Sequence, residues 1–218
     1  MTLVLTCGDA ASDRVPPRGT HAVAVAEVPT RDEIDPLLAD GTRLVVVGDD
    51  AALAAVLVRL LRCERLDVAL GFVPVGRSEA AAVWGLPPDH DAACTLALEG
   101  EPRPSVLVRD DRGGVAVGAH RLGAFTGEVY ADERLVSRGA ATGMVVRPDP
   151  DRHGVAVTVT GPSRWGGLRA PTASGGRGRA VQVGCRGAAV ERDGVADARS
   201  LQRRSWYPHL EDWRFVRP

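Results

Sequence analysis

The turn Gly48-Asp49-Asp50 is the stretch of this sequence whose residue types could do chemistry. Leu44 to Val47 is an apolar run that predicts a strand, and Ala51 to Leu61 is rich in helix-forming residues. A helix that begins directly after a strand presents free N–H groups and the positive end of its dipole, and α/β proteins bind phosphates or nucleotides there. The turn therefore predicts a phosphate site, but it carries two carboxylates, which repel phosphate.

Two interpretations of this turn remain open at the level of sequence. In the structural one, Asp49 and Asp50 form a turn and cap the following helix, as Asp often does. In the functional one, Asp49 is retained to organise magnesium and phosphate.

Composition limits the classes of function. The chain has 218 residues, which suits one large domain or two small ones, and a net charge of −1, which gives no reason to expect nucleic acid as a partner. All 27 basic residues are arginine, so chemistry that needs a lysine, such as a P-loop lysine or a Schiff base, is excluded.

Cysteine spacing and hydropathy predict a cytoplasmic protein with free thiols. The four cysteines are far apart and include no Cys-x-x-Cys pair; they are Cys7, Cys63, Cys94 and Cys185. The N-terminus lacks a signal-peptide pattern, and the longest apolar helical run is too short and too interrupted by arginine to span a bilayer. We expect no transmembrane segment, and the five histidines show no metal-ligand spacing.

Strands and helices alternate in the first half of the chain. Predicted strands are Thr2–Thr6, His21–Val28, Leu44–Val47 and Asp67–Val75. The predicted helices begin at a Thr30–Glu33 capping box, at Asp49-Asp50, at Ser78 and at Asp89. This alternation predicts a doubly wound parallel-sheet domain over residues 1–122.

The second half changes to short β-branched runs separated by Gly, Pro and Asp. Asp110–Gly114 predicts a hairpin, and the runs after it predict an antiparallel β-sandwich-like domain over residues 123–218. Gly161–Gly178, which includes Trp165, predicts a mobile loop. Trp206 and Trp213 suggest that about 206–218 packs back on the first domain, with an exposed partner-binding aromatic patch as the alternative.

Three short motifs, in order, resemble those of the diacylglycerol kinase catalytic-domain family, whose fold is shared by bacterial lipid kinases, sphingosine kinases and NAD kinases. Val47-Gly48-Asp49-Asp50-Ala51 is similar to the family's Gly-Gly-Asp-Gly-Thr. Pro74-Val75-Gly76-Arg77-Ser78-Glu79 is similar to Pro-x-Gly-Thr-Gly-Asn-Asp, and Asp193-Gly194-Val195 to Asp-Gly-Glu. The final Trp213–Pro218 resembles the closing strand that returns to the first domain.

The resemblance implies a nucleotide-binding fold whose members bind ATP between two domains and phosphorylate a lipid hydroxyl. It implies ATP and Mg²⁺ as cofactors if the protein is active, and a lipid or small hydroxyl compound as substrate. Because family members often dimerise, it also leaves a homodimer open. The residues that it assigns are Asp49 and Asp193 as catalytic, and Gly48, Asp50, Gly76, Arg77 and Ser78 as nucleotide-binding.

Each motif also departs from the family pattern. Asp50 and Ala51 replace a glycine and a threonine, Arg77 and Ser78 replace a threonine and a glycine, and Val195 replaces a glutamate. Asp193-Gly194 also fits an ordinary hairpin turn. The chain is short for the family, so part of the lipid-binding region is expected to be missing.

These departures leave two classes of function open. One is a divergent lipid or small-molecule kinase, with Arg77 binding phosphate. The other is an inactive pseudo-kinase that serves as a binding or regulatory module, with Arg77 paired to Asp49 or Asp50 in place of phosphate. A dinucleotide- or sugar-phosphate-binding module is a third alternative.

Overall fold

The computed structural model describes residues 2–12, 21–38, 43–162 and 172–218. The chain forms two compact units: Met1–Ser105 together with Leu210–Pro218, and Val106–His209. This division differs from the one predicted after residue 122. The strands between Val106 and Leu122 pair with strands of the second unit, so they belong to it rather than to the parallel sheet.

The first unit is built on a six-stranded sheet in the order β2-β1-β3-β4-β18-β5. Its strands are β1 (Thr2–Cys7), β2 (His21–Val25), β3 (Arg43–Gly48), β4 (Ala69–Pro74), β5 (Pro102–Ser105) and β18 (Trp213–Val216). All neighbours are parallel except β18 and β5. The doubly wound parallel sheet expected from the sequence is therefore confirmed.

Strand β3 lies inside this sheet, between β1 and β4. Leu44, Val45, Val46 and Val47 have no exposed surface, so both faces of the strand are covered. A continuous apolar run, rather than an alternating one, is what a strand buried on both faces requires.

The helices of the first unit are α1 (Asp9–Ser12), α2 (Arg31–Ile34), α3 (Asp50–Arg62), α4 (Glu79–Trp84) and α5 (His90–Glu99), with a 3₁₀ turn over Asp35–Leu38. Helices α2 to α5 begin where the capping residues predict, whereas the short α1 was not predicted. Asp49, Ser78 and Asp89 each accept a hydrogen bond from the backbone N–H three residues later.

The Thr30–Glu33 capping box is also confirmed, and it explains why β2 ends early. The Glu33 carboxylate accepts from the Thr30 backbone N–H at 2.8 Å. It also accepts from the N–H of Ala26 at 2.8 Å, which removes that donor from the strand. The predicted strand to Val28 is therefore too long, and β2 ends at Val25.

The C-terminal strand returns to the first unit, as predicted for the closing strand. Residue Arg214 of β18 pairs with Ala69 of β4, and Trp213 pairs with Ser105 of β5. Trp84 contacts the rings of Trp213 and Phe215 at centroid distances of 5.5 and 5.4 Å. The returning segment is Leu210–Pro218, whereas Trp206 to His209 belong to the second unit.

The second unit contains two antiparallel sheets of six strands. The first has the order β10-β9-β14-β17-β6-β7, with β6 (Val108–Asp110), β7 (Val115–Ala116), β9 (Phe125–Ala131), β10 (Arg134–Ala141), β14 (Val181–Ala188) and β17 (Leu201–Pro208). The other has the order β13-β12-β11-β8-β15-β16, with β8 (His120–Leu122), β11 (Gly143–Asp149), β12 (Gly154–Thr160), β13 (Ala173–Gly178), β15 (Val190–Arg192) and β16 (Val195–Ala196). A 3₁₀ turn, Pro150–Arg152, joins β11 to β12. The predicted β-sandwich-like domain is confirmed.

Turn chemistry places the hairpins of this unit correctly. Asp110–Gly114 joins β6 to β7, and Asp193-Gly194 joins β15 to β16. Both residues of the second turn have positive φ, +47° and +94°, which is the geometry of a tight two-residue hairpin turn.

The predicted mobile loop over Gly161–Gly178 is wrong at its end. Ala173–Gly178 forms β13, which pairs with β12 along its length. Trp165 and its neighbours lie outside the described residues.

The predicted free thiols are confirmed for all four cysteines: Cys7 and Cys94 are buried, and Cys63 and Cys185 are half-buried. Within the described ranges, no helix combines the length and the apolar character needed to cross a bilayer.

Candidate functional site

The loops that follow β3 and β4 meet at one edge of the parallel sheet. β3 and β4 are neighbours that run in the same direction, so their carboxyl ends lie side by side. The Val75 N–H donates to the Gly48 carbonyl at 2.7 Å, which joins the two loops directly. This edge is where α/β sheets bind ligands.

Gly48 is required by packing in this structure. A Cβ at this position would lie 2.9 Å from the Cβ of Cys7 and 3.0 Å from the Cβ of Ala52. The residue is a glycine because β1 and α3 approach it closely, so its presence alone is no evidence of a phosphate contact.

Asp49 caps helix α3. Its Oδ1 accepts a hydrogen bond from the Ala52 N–H at 2.8 Å, and its backbone is extended, as a capping residue requires. Burial raises the pKa of the neighbouring Cys7 thiol to about 12, and the negative charges of Asp49 and Glu33 add to this effect. Cys7 is therefore a neutral thiol at physiological pH and not a nucleophile.

Asp50 reaches across to the loop after β4. Its Oδ2 accepts from the backbone N–H groups of Glu79 and Ala80, at 2.8 and 3.1 Å, and its Oδ1 accepts from the Ser78 hydroxyl. The carboxylate thus occupies the first free N–H groups of helix α4. These are the groups that a helix start would offer to a phosphate.

Ser78 has both of its hydrogen-bonding roles filled. Its hydroxyl donates to Asp50 and accepts from the Ala81 N–H at 2.8 Å, so it caps α4 while it holds the carboxylate. From the sequence, Ser78 is predicted to cap α4 and, through the resemblance, to bind nucleotide. The structure also shows a hydrogen bond from Ser78 to Asp50, which could not be predicted from either motif alone.

Arg77 forms no ion pair with Asp49 or Asp50 among the described residues, so the expected pairing is wrong. Its side chain is exposed. The physical reason is that Asp50 finds closer donors in Ser78 and the start of α4. Gly76, directly before it, has φ +80° and open space around its Cβ position, so its backbone conformation favours glycine.

A cavity of about 390 Å³ lies beside this loop, and the sequence analysis did not find it. Its lining includes Pro74, Gly76, Ser78, Leu86 and His90. The His90 Nδ1 is buried and has no hydrogen-bond partner in the described part of the chain. The sequence signal that could have indicated this cavity is the run Pro87-Pro88-Asp89-His90, which leads into the capped start of α5.

Asp193 belongs to the second unit, where it is buried. Its carboxylate accepts from three consecutive N–H groups, those of Val117, Gly118 and Ala119, at 3.2, 2.8 and 2.8 Å. Both of its oxygens are therefore used to hold the segment between β7 and β8, which is the arrangement of a structural carboxylate.

His120 lies next to Asp193 and is fully buried. The Trp206 Nε1–H donates to its Nδ1 at 2.9 Å, so the ring proton is on Nε2, which lies 3.0 Å from the Val115 carbonyl and 3.4 Å from Asp193 Oδ2. The hydrogen bonds thus fix one tautomer of the ring within the core. In the part of the chain that is described, no cluster of three or more His, Cys, Asp or Glu side chains could hold a metal ion.

Comparison with solved structures decides the fold. A diacylglycerol kinase from Bacillus anthracis superposes with a TM-score of 0.72 and 12% sequence identity, over 100% of this chain and 96% of that one. The chain has the diacylglycerol kinase fold. No family model and no curated protein matches the sequence itself.

The diacylglycerol kinase fold is shared with the NAD kinases. An NAD kinase from Archaeoglobus fulgidus in complex with ATP has a TM-score of 0.57 and 14% identity, over 100% of this chain and 94% of that one. Yeast NADH kinase complexed with NADH has a TM-score of 0.56 and 9% identity, over 100% and 83%. In the present chain, the loops that follow β3 and β4 contain two of the motifs that resemble the family's. Hydrogen bonds from Ser78 and Glu79 to Asp50 join these loops to each other.

Proposed function

We propose that this chain is an inactive protein with the diacylglycerol kinase fold, a pseudo-kinase that serves as a binding or regulatory module. One observation carries the proposal. The Asp50 carboxylate holds the Ser78 hydroxyl and the Glu79 and Ala80 N–H groups, which are the donors that a phosphate at the start of α4 would need.

The negative charge of Asp50 disfavours a phosphate at these donors. A phosphate oxygen brought to these donors must displace Asp50 or approach its negative charge. At a separation of about 4 Å near a protein surface, two like unit charges repel each other by about 4 kcal/mol. A triphosphate with several charges would meet more repulsion, so the residues present do not fit ATP at this position.

Two further features support the inactive state. Val195, at the position that resembles the family's glutamate, is 41% exposed and has no group that could take a proton. Asp193, the remaining candidate for a base, uses both oxygens on backbone N–H groups. A general base needs a free oxygen within reach of the proton that it removes.

The test is a titration of the purified chain with Mg-ATP, followed by calorimetry and by the melting temperature. We expect no saturable heat and no melting shift at millimolar nucleotide. Asp50→Gly, which removes the carboxylate, should bind more nucleotide than the wild type, while Asp49→Gly serves as the matched control because it removes a neighbouring carboxylate that does not contact α4.

Micromolar binding of Mg-ATP by the wild type, or phosphoryl transfer to a lipid or small hydroxyl acceptor, would contradict the proposal.

The competing function is a divergent ATP- and Mg²⁺-dependent kinase. It is favoured by one observation: Asp49 uses only Oδ1 on Ala52, and among the described residues nothing bonds its other oxygen. That oxygen is available to a metal, and Gly48, Gly76, Arg77 and Ser78 are the residues that the resemblance assigns to the nucleotide.

A further inference from the structure

We propose that a second site, an arginine-lined cavity in the second unit, binds a small molecule that carries two or more phosphate charges. The cavity has a volume of about 640 Å³. Its lining contains one carboxylate, Asp197, and five arginines: Arg112, Arg192, Arg199, Arg203 and Arg204. All of these residues lie within Val106–His209, so the second unit supplies the whole site.

Arg204 is the preorganised part of the cavity. Its side chain is only 8% exposed, and its Nη1 lies 3.1 Å from Asp197 Oδ2 and 3.4 Å from Asp110 Oδ2. Its Nε is buried and has no hydrogen-bond acceptor among the described residues. A guanidinium stays charged when it is buried, so Arg204 contributes a fixed positive charge to the lining.

The charges of the lining are not balanced. Asp197 is shared between two arginines, since its Oδ1 lies 2.6 Å from Arg192 Nη2 while its Oδ2 contacts Arg204. Arg112, Arg199 and Arg203 are exposed, and no acidic side chain of the described ranges lies within ion-pairing distance of them. Asp197 and Asp110 together balance Arg192 and Arg204, so the three exposed arginines of the lining leave an excess of positive charge for a ligand to neutralise.

The chemistry of the lining selects phosphate. The planar guanidinium presents paired N–H groups that match two oxygens of a phosphate, and several guanidiniums together favour a ligand with more than one negative charge. The cavity volume is typical of a small-molecule site. A nucleic acid is disfavoured because the chain as a whole has a net charge of −1.

Isothermal titration of the whole chain with inorganic pyrophosphate, at low and at physiological salt, tests the proposal. We expect saturable binding that weakens as salt increases. Arg203→Ala and Arg199→Ala should each weaken binding by about tenfold, as expected for the loss of a charge-assisted contact. Arg179→Ala is the matched control, because Arg179 is an exposed arginine of the same unit outside the cavity lining, and binding should be unchanged.

Circular dichroism of each variant establishes that it is folded. The proposal is wrong if pyrophosphate gives no saturable heat with the wild type, or if Arg203→Ala and Arg199→Ala bind it as well as Arg179→Ala does. Binding to vesicles that contain phosphatidate, without binding to pyrophosphate, would also overturn it, because it would indicate a membrane surface rather than a small soluble ligand.

Discussion

Asp50 and Asp193, which the resemblance assigns to nucleotide binding and to catalysis respectively, both use their carboxylates to accept hydrogen bonds from the chain's own backbone. Each carboxylate accepts several hydrogen bonds from backbone N–H groups, Asp50 at the start of a helix and Asp193 along a loop segment. A carboxylate whose oxygens are engaged in this way stabilises the folded chain, since its removal leaves the N–H groups without an acceptor.

Asp193→Ala should destabilise the protein strongly. The substitution removes the acceptor for three buried N–H groups and a neighbour of His120 Nε2, so we expect a loss of about 3 kcal/mol or more in the free energy of unfolding. Urea denaturation measures the change.

Val195→Glu provides the control for that experiment. It introduces a glutamate at an exposed position two residues away and should change stability by no more than about 0.5 kcal/mol. A loss of similar size in both variants would show that the turn, and not the Asp193 carboxylate, is the stabilising feature.

The buried thiol of Cys7 makes the folded chain less stable at alkaline pH. Its pKa is about 12 in the folded state against an ordinary value of 9.0, because burial disfavours the thiolate. Above pH 9.0 the unfolded chain loses this proton while the folded chain keeps it. Ionisation therefore stabilises the unfolded state, and the free energy of unfolding decreases as the pH increases toward 12.

Denaturation curves collected from pH 8 to 11 should therefore show a smaller decline of stability for Cys7→Ala than for the wild type. Cys185→Ala, which changes a half-buried thiol of the other unit, is the control. Equal declines for Cys7→Ala and the wild type would contradict the assignment.

Helix α4 is a short element that tertiary contacts hold in place. It has only six residues, too few for a stable isolated helix. Ser78 and Asp50 bind its first N–H groups, Gly85 ends it in the left-handed conformation, and Trp84 packs edge-on against Trp213 and Phe215 of β18. The last strand of the chain thus fixes the position of the candidate site's second loop.

Trp213→Ala tests this coupling. Removal of a side chain that is 1% exposed should cost about 3–5 kcal/mol and loosen α4, which exchange of the Ala81 and Ala82 amide hydrogens would report. Leu210→Ala is the control, because that side chain is 99% exposed and its loss should be nearly neutral. Unchanged amide exchange in folded Trp213→Ala would show that β18 does not support the loop.

At the scale of the whole molecule, the chain leaves the first unit after Ser105 and returns to it at Leu210. The second unit is therefore an insertion in the parallel sheet, and its two ends are joined by a hydrogen bond from the His209 N–H to the Leu107 carbonyl, at 2.7 Å. The first unit, in contrast, is completed by β18, which lies between β4 and β5.

We therefore expect residues 106–209 expressed alone to fold, with β-sheet circular dichroism and cooperative unfolding. Residues 1–105 alone should not fold cooperatively, because β18 is missing from the interior of their sheet and Trp84 loses its aromatic partners. A cooperative transition of the 1–105 fragment would show that β18 is dispensable.

Features of the fold that depend on residues close together in the chain could be predicted from the sequence. Apolar runs such as Leu44–Val47 predicted strands, capping residues such as Ser78 and Asp89 predicted helix starts, and Asp110–Gly114 and Asp193-Gly194 predicted hairpin turns. These are confirmed because strand burial, capping and turn geometry are local preferences of the chain. The motif order also predicted the fold that the solved structures share.

The contacts that these residues make with distant parts of the chain became visible in the folded structure alone. The partner of Asp50 lies 28 residues away in Ser78, and no local preference distinguishes it from Arg77. The cavity of five arginines gathers Arg112 with residues some 80 to 92 positions later, because β17 pairs with β6. Contacts of this range depend on strand order and register, and a single sequence without a template does not encode them in any readable pattern.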